Sequence, residues 1–113
     1  AAFQREQKGK NDMAAADKLG GYATGFGELN ADALAENVTD NYKLLDKDGK
    51  IYGKDDLPGY IAELRKLADK MVITDVAVDG GTAWCKWQVG DIVGAGLITF
   101  GDDGVSQEQL FYA

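Results

Sequence analysis

The sequence predicts an α+β fold: a curved antiparallel sheet with about three helices packed on its concave side. Three observations predict it. From Thr82 to Val89 the residues alternate, with Ala83, Cys85, Trp87 and Val89 on one face and Thr82, Trp84, Lys86 and Gln88 on the other, the period-two signature of a strand. The next strand, Val93 to Phe100, carries Gly94 and Gly96, and glycine inside a strand marks a bend or a close approach. The helical patterns come first in the chain and a run of strands comes last, the order of an α+β domain.

The elements follow in order. Residues 1–11 are polar and without a clear period, and read as a frayed or weakly helical lead-in; the start at Ala1 rather than methionine leaves a processed leader open. From Asp12, Ala15, Leu19, Tyr22, Phe26 and Leu29 recur every three or four positions and share one helix face. Gly20, Gly21, Gly25 and Gly27 weaken that helix by up to about 1 kcal/mol each. Packing must therefore hold it, and the glycines admit a close backbone. Asn30 or Asp32 caps a short second helix through Asn37, with Leu34 and Val38 inward. Asn41 to Ile51 reads as a small hairpin turning at Asp48-Gly49, with Tyr42, Leu44 and Asp46 on one face. Asp55 or Asp56 caps the third helix, Pro58 fits its first turn, and Leu57, Tyr60, Ile61, Leu64, Leu67 and Ala68 keep helical spacing. Met71 to Val78 is a strand; the Thr82–Phe100 hairpin and a last strand, Val105 to Tyr112, complete the sheet. In that last strand Ser106, Glu108, Leu110 and Tyr112 are expected inward, and Val105, Gln107, Gln109 and Phe111 outward.

Composition narrows the function classes. At 113 residues, 45% hydrophobic and 27% charged, the chain is expected to be a single soluble domain over 1–113. Twelve basic against nineteen acidic residues leave a net charge of −7, which disfavours nucleic acid and anionic lipid as partners. Without histidine, histidine triads and histidine metal ligands are excluded. No metal or cofactor is expected. Cys85 is the one cysteine, so no internal disulfide forms and a reducing, cytoplasmic setting is expected.

This order of elements resembles the nuclear transport factor 2-like superfamily, which includes ketosteroid isomerases, limonene epoxide hydrolases and SnoaL-type polyketide cyclases. The resemblance runs from about Asp12 to Tyr112. It is carried by Tyr22 and Phe26, Asp40, Asp46-x-x-Gly49, Gly53, Ala83, and Phe100 before the Gly104 turn. It implies a cone-shaped sheet around an apolar pocket. Among ketosteroid isomerases, a first-helix tyrosine and an aspartate after the second helix face each other across the cone. Tyr22 and Asp46 stand in those places, and the resemblance implies Asp46 as general base and Tyr22 as donor to an enolate oxygen. Tyr60 matches an aromatic pocket wall. The family's second oxyanion acid corresponds to Gly96, so one donor is missing. The hydrolase pattern fits worse: the arginines are Arg5 and Arg65, neither on a pocket strand, and the last-strand aspartate corresponds to Leu110.

The expected function is therefore a ketosteroid isomerase-like proton transfer on an enolisable carbonyl compound, with a non-catalytic ligand-binding or dimerisation domain as the alternative. The expected pocket comprises Phe26, Tyr42, Leu44 and Tyr60 from the first half of the chain. From the strands come Cys85, Trp87, Gly96 and Ile98, then Glu108, Leu110 and Tyr112. Glu108 is a second candidate carboxylate inside it. Asp46 also has a plainer reading as a turn residue, and Tyr22 as a core tyrosine. Cys85 reads as an inert buried thiol. The ligand is expected to be a small apolar molecule, and Trp84, exposed on the outer face, marks the expected homodimer contact.

Overall fold

A computed structural model describes residues 2–113, with side chains from Met13 onward. The first helix, α1, is Ala2–Gly27; the side chains of the expected lead-in over 1–11 lie outside the described residues. Leu19, Tyr22, Phe26 and Leu29 are buried, as their spacing predicts. Leu29 ends the helix in the left-handed region, φ 51°, and Arg65 Nε donates to its carbonyl at 3.0 Å. The short helix α2, Ala31–Glu36, is capped by Asn30, whose Oδ1 accepts from Ala33 N at 3.2 Å. The close approach admitted by the glycines occurs at Gly25, where an added Cβ would lie 3.0 Å from Leu34 N.

Strands β1 (Val38–Leu45) and β2 (Ile51–Gly53) form the expected small hairpin. A 3-10 turn, Lys54–Asp56, leads into α3, Leu57–Arg65, with Pro58 in its first turn; the helix stops at the Lys66 C-cap, short of Leu67 and Ala68, which the spacing put on its stripe. The Asp56 carboxylate accepts from Gly53 N at 2.8 Å and so braces the turn before α3. Strands β3 (Val72–Asp79), β4 (Thr82–Val89), β5 (Ile92–Gly101) and β6 (Gly104–Tyr112) follow. The sheet order is β2-β1-β6-β5-β4-β3.

The sheet is mixed rather than wholly antiparallel, because β1 runs parallel to β6. The sequence places these strands far apart, and a long connection allows either direction. Val38, expected at the end of the second helix, opens β1 instead and remains buried.

Alternation holds throughout β4: Ala83, Cys85, Trp87 and Val89 are buried and their neighbours exposed. It fails where the register shifts, in β1 between Val38 and Lys43 and at two bulges that shape the cavity wall. Between the Thr99 and Phe100 pairs the β5–β6 register shifts, so Phe100 faces Val105. Val105 is therefore buried, against the outward expectation, while Glu108 and Leu110 stay inward. In β3, Asp75 takes φ 54° at a register shift between Thr74 and Ala77. An unbroken alternation from Ile73 would point Asp75 inward. The bulge sets Val76 on the cavity wall instead, half exposed, and leaves Asp75 outside, 3.5 Å from Lys86 Nζ. No helix among the described residues is long and apolar enough to cross a membrane.

Candidate functional site

Helices α1 and α3 and the inner face of the sheet line a partly open cavity of about 90 Å³. One charged side chain lines it: Glu108, 4% exposed and the one buried charged residue of the described chain. Two strand features put it there. The restored alternation of β6 aims it inward, and Gly96, its neighbour on β5, leaves room for it. A Cβ at Gly96 would collide with Glu108 Oε2 and stand 3.5 Å from Cys85 Sγ. Gly94 does the same for the Trp87 indole, which lies over it and against Tyr112 at 5.5 Å between ring centroids.

Glu108 ends a chain of hydroxyls. Tyr22 Oη donates to Glu108 Oε1 at 2.5 Å. Tyr42 Oη lies 2.6 Å from Tyr22 Oη, and because Tyr22 has one proton to give, Tyr42 is the donor in that pair. Burial pushes the Glu108 carboxyl up to about 7, against a smaller downward pull from the Tyr22 hydrogen bond. Burial first, and then the charge of Glu108, hold Tyr22 and Tyr42 well above the ordinary phenol range. Both therefore remain protonated donors. The Cys85 thiol is likewise pushed up to about 11 by burial and then by Glu108, so it is no nucleophile near neutral pH.

Of the residues expected to form the pocket, Tyr22, Phe26, Tyr60, Cys85 and Trp87 line the cavity. So do Ile98, Glu108, Leu110 and Tyr112. Tyr42 and Leu44 are buried but do not line it; Tyr42 acts from behind Tyr22. Gly96 acts by what it lacks.

Asp46 is elsewhere. Its expected position facing Tyr22 required β1 to continue in alternation past Leu44, but the strand ends at Leu45. Asp46 N donates to Lys50 O at 2.8 Å and Gly49 N to Asp46 O at 3.1 Å, which closes a turn. The Asp46 carboxylate accepts from Lys47 N at 2.7 Å and from Tyr112 Oη at 2.6 Å. It therefore braces the turn and the outer edge of a wall residue, and does not line the cavity. Tyr22 meets Glu108 instead.

Several wall residues escaped the sequence reading, among them Leu19, Leu64, Met71, Ile73 and Val76. Leu19 and Leu64 were legible as helix-stripe residues, and Met71 and Ile73 as alternating strand positions. Val76 depends on the bulge. The Trp87 indole Nε1 is buried without an acceptor among the described residues.

Comparison with known proteins locates the fold. No family model matches the chain, and no curated protein does. Solved structures do. A nuclear transport factor 2-like protein of unknown function from Burkholderia xenovorans superposes with a TM-score of 0.70 at 12% identity, over 91% of this chain and 85% of that one. A SnoaL-like protein from Burkholderia thailandensis gives 0.71 at 13%, over 89% and 96%. A protein with a ketosteroid isomerase-like fold from Catenulispora acidiphila, solved in complex with trimethylamine, gives 0.69 at 14%, over 88% and 87%. The chain has the nuclear transport factor 2-like fold, with the curved sheet and concave-side helices that its sequence predicts. That fold carries many activities, so function has to be argued from the site.

Proposed function

We propose that this chain is a small-molecule binding protein whose cavity takes a largely apolar molecule and anchors its polar group on Glu108, which Tyr22 holds in place. The observation that carries this reading is a lone buried carboxyl, held by a tyrosine, in a cavity otherwise walled by apolar and aromatic side chains. Such sites bind through apolar contact and orient through a few polar groups. The trimethylamine bound to the Catenulispora acidiphila protein is in keeping with a small ligand. The test is Trp87 fluorescence in a Trp84→Phe background, titrated with small alcohols, ketones and amines. Binding is expected to change the emission, and Ala23→Leu, which fills the cavity from α1, is expected to abolish the change. A response that survives Ala23→Leu would place the ligand elsewhere.

One observation favours a second reading, ketosteroid isomerase-like proton transfer on an enolisable carbonyl compound. A carboxyl near 7 is both ionised and basic at neutral pH, as a general base must be. Glu108 then takes the place expected for Asp46. It ranks second because the Tyr22 hydroxyl already donates to Glu108 and must let go to serve an enolate. Deuterium uptake from D2O into an enolisable ketone tests it: Glu108→Gln should abolish exchange and Asp46→Asn should leave it unchanged. Wild-type exchange no faster than buffer ends that reading.

The outer sheet face is proposed as a contact with a second copy. Trp84 is 48% exposed and its ring centroid lies 5.6 Å from that of Phe111, itself 41% exposed. A cytoplasmic setting is in keeping with the free thiol of Cys85.

A further inference from the structure

We infer that the polar group this cavity selects is a cation: a small alkylammonium seated with its charge against Glu108 and its alkyl surface against the aromatic walls. The inference rests on the proposed ligand cavity and narrows what fills it.

Charge comes first. Glu108 is lined up with no countercharge. No lysine or arginine lines the cavity among the described residues, and the chain has no histidine. The groups that face the carboxyl are Tyr22 from α1, Tyr42 from β1, Tyr60 from α3 and Cys85 from β4. All four are neutral acids at physiological pH. Gly96 on β5 has no side chain, and Ile98 and Leu44, which pair with Glu108 across the sheet, are apolar. Lys47 is exposed, 4.2 Å from the Tyr112 ring centroid, and donates to Ala113 O.

Geometry comes second. Glu108 Oε1 accepts the hydrogen bond from the Tyr22 hydroxyl, whereas Oε2 lies over Gly96 with no hydrogen bond among the described residues. One carboxylate oxygen is thus held and the other is free for a ligand's N–H. The rings of Tyr22, Phe26, Tyr60, Trp87 and Tyr112 line the same cavity. Aromatic faces attract cations, most strongly where water is excluded. At about 90 Å³, the cavity has room for roughly half a dozen water-sized groups, the bulk of a branched alkylammonium.

The three ligand charges then separate. An anion meets an uncompensated carboxylate. A neutral molecule leaves the desolvated carboxyl as it was. A cation supplies the partner that a buried carboxylate requires, and gains from the rings as well. Because the carboxyl is pushed up to about 7 in the empty cavity, cation binding draws it into the ionised form and releases a proton.

The experiment uses three ligands of one shape: tert-butylammonium, tert-butanol and pivalate. Each is titrated into the wild-type protein at pH 8 and pH 6, following the NMR signals of the Trp87 indole and the Ile98 and Leu110 methyls. Tert-butylammonium is expected to bind at least about tenfold tighter than the other two at pH 8. Its affinity is expected to fall about tenfold at pH 6, as protonation removes the carboxylate, while that of tert-butanol stays constant. Glu108→Gln should remove both the preference and the pH dependence. If tert-butanol or pivalate binds as tightly as the ammonium, the inference is overturned and the ligand cavity stands. If none of the three moves a cavity signal, the cavity reading falls, and this inference with it.

Discussion

Replacing Glu108 by glutamine should make the protein more stable at alkaline pH and remove part of its pH dependence. The folded carboxyl is pushed up to about 7 from an ordinary glutamate value of 4.5. Below 4.5 it is protonated whether the chain is folded or not, and folding carries no penalty. Between 4.5 and 7 the unfolded chain ionises while the folded one stays protonated, so stability falls as pH rises. Above 7 the penalty is complete. The difference of about 2.5 pH units, at 1.36 kcal/mol each, comes to about 3 kcal/mol. Glutamine keeps the shape and the contact with Tyr22 but never ionises. Urea unfolding of both proteins at pH 5 and pH 8.5 therefore has a sign and a size: the mutant should gain about 2–3 kcal/mol on the wild type between the two. Comparing the two cancels the common effect of the −7 net charge. Parallel stability curves would refute the reasoning, since they would mean that Glu108 ionises equally well in both states.

Three further outcomes follow from the same geometry. Gly96→Ala drives a methyl into Glu108 Oε2; it should cost about 1–3 kcal/mol and displace the carboxyl from Tyr22, visible as loss of the Tyr22 hydroxyl proton resonance at low field. Tyr22→Phe removes the hydrogen bond that pulls the Glu108 carboxyl down, so its titration midpoint should rise, read by carboxyl 13C NMR; a fall would contradict the assignment of Tyr22 as donor. Trp84→Glu places a charge in the outer apolar face and should leave a monomer in sedimentation, whereas a dimer that persists removes Trp84 from the contact.

Much of the fold was legible because local pattern and tertiary demand agreed. The β4 alternation needed no correction, and the α1 stripe from Leu19 to Leu29 is buried as spaced. What sequence could not supply were the places where the chain breaks its own period. The β3 bulge turns Asp75 out and puts the half-exposed Val76 on the cavity wall, and the β5–β6 shift buries Val105. Strand direction was equally illegible, because the parallel β1–β6 pair joins segments that no local signal relates. The site shows the same division. Tyr22 and Glu108 were both expected inward, but their partnership was not expected, since it spans 86 positions and no local spacing connects them. Asp46 was misplaced for a local reason. Its Asp-x-x-Gly turn chemistry outweighed the strand alternation that would have carried it inside.

The central claim is that a single carboxyl, Glu108, sits buried in the cavity and answers to what enters it. Carboxyl 13C NMR of Glu108 measured against pH, first empty and then with saturating tert-butylammonium, tests it most directly. The account predicts a midpoint near 7 in the empty protein and a lower one with the cation bound. A midpoint near 4.5 in the empty protein, unmoved by the ligand, would show a solvated carboxylate and contradict it.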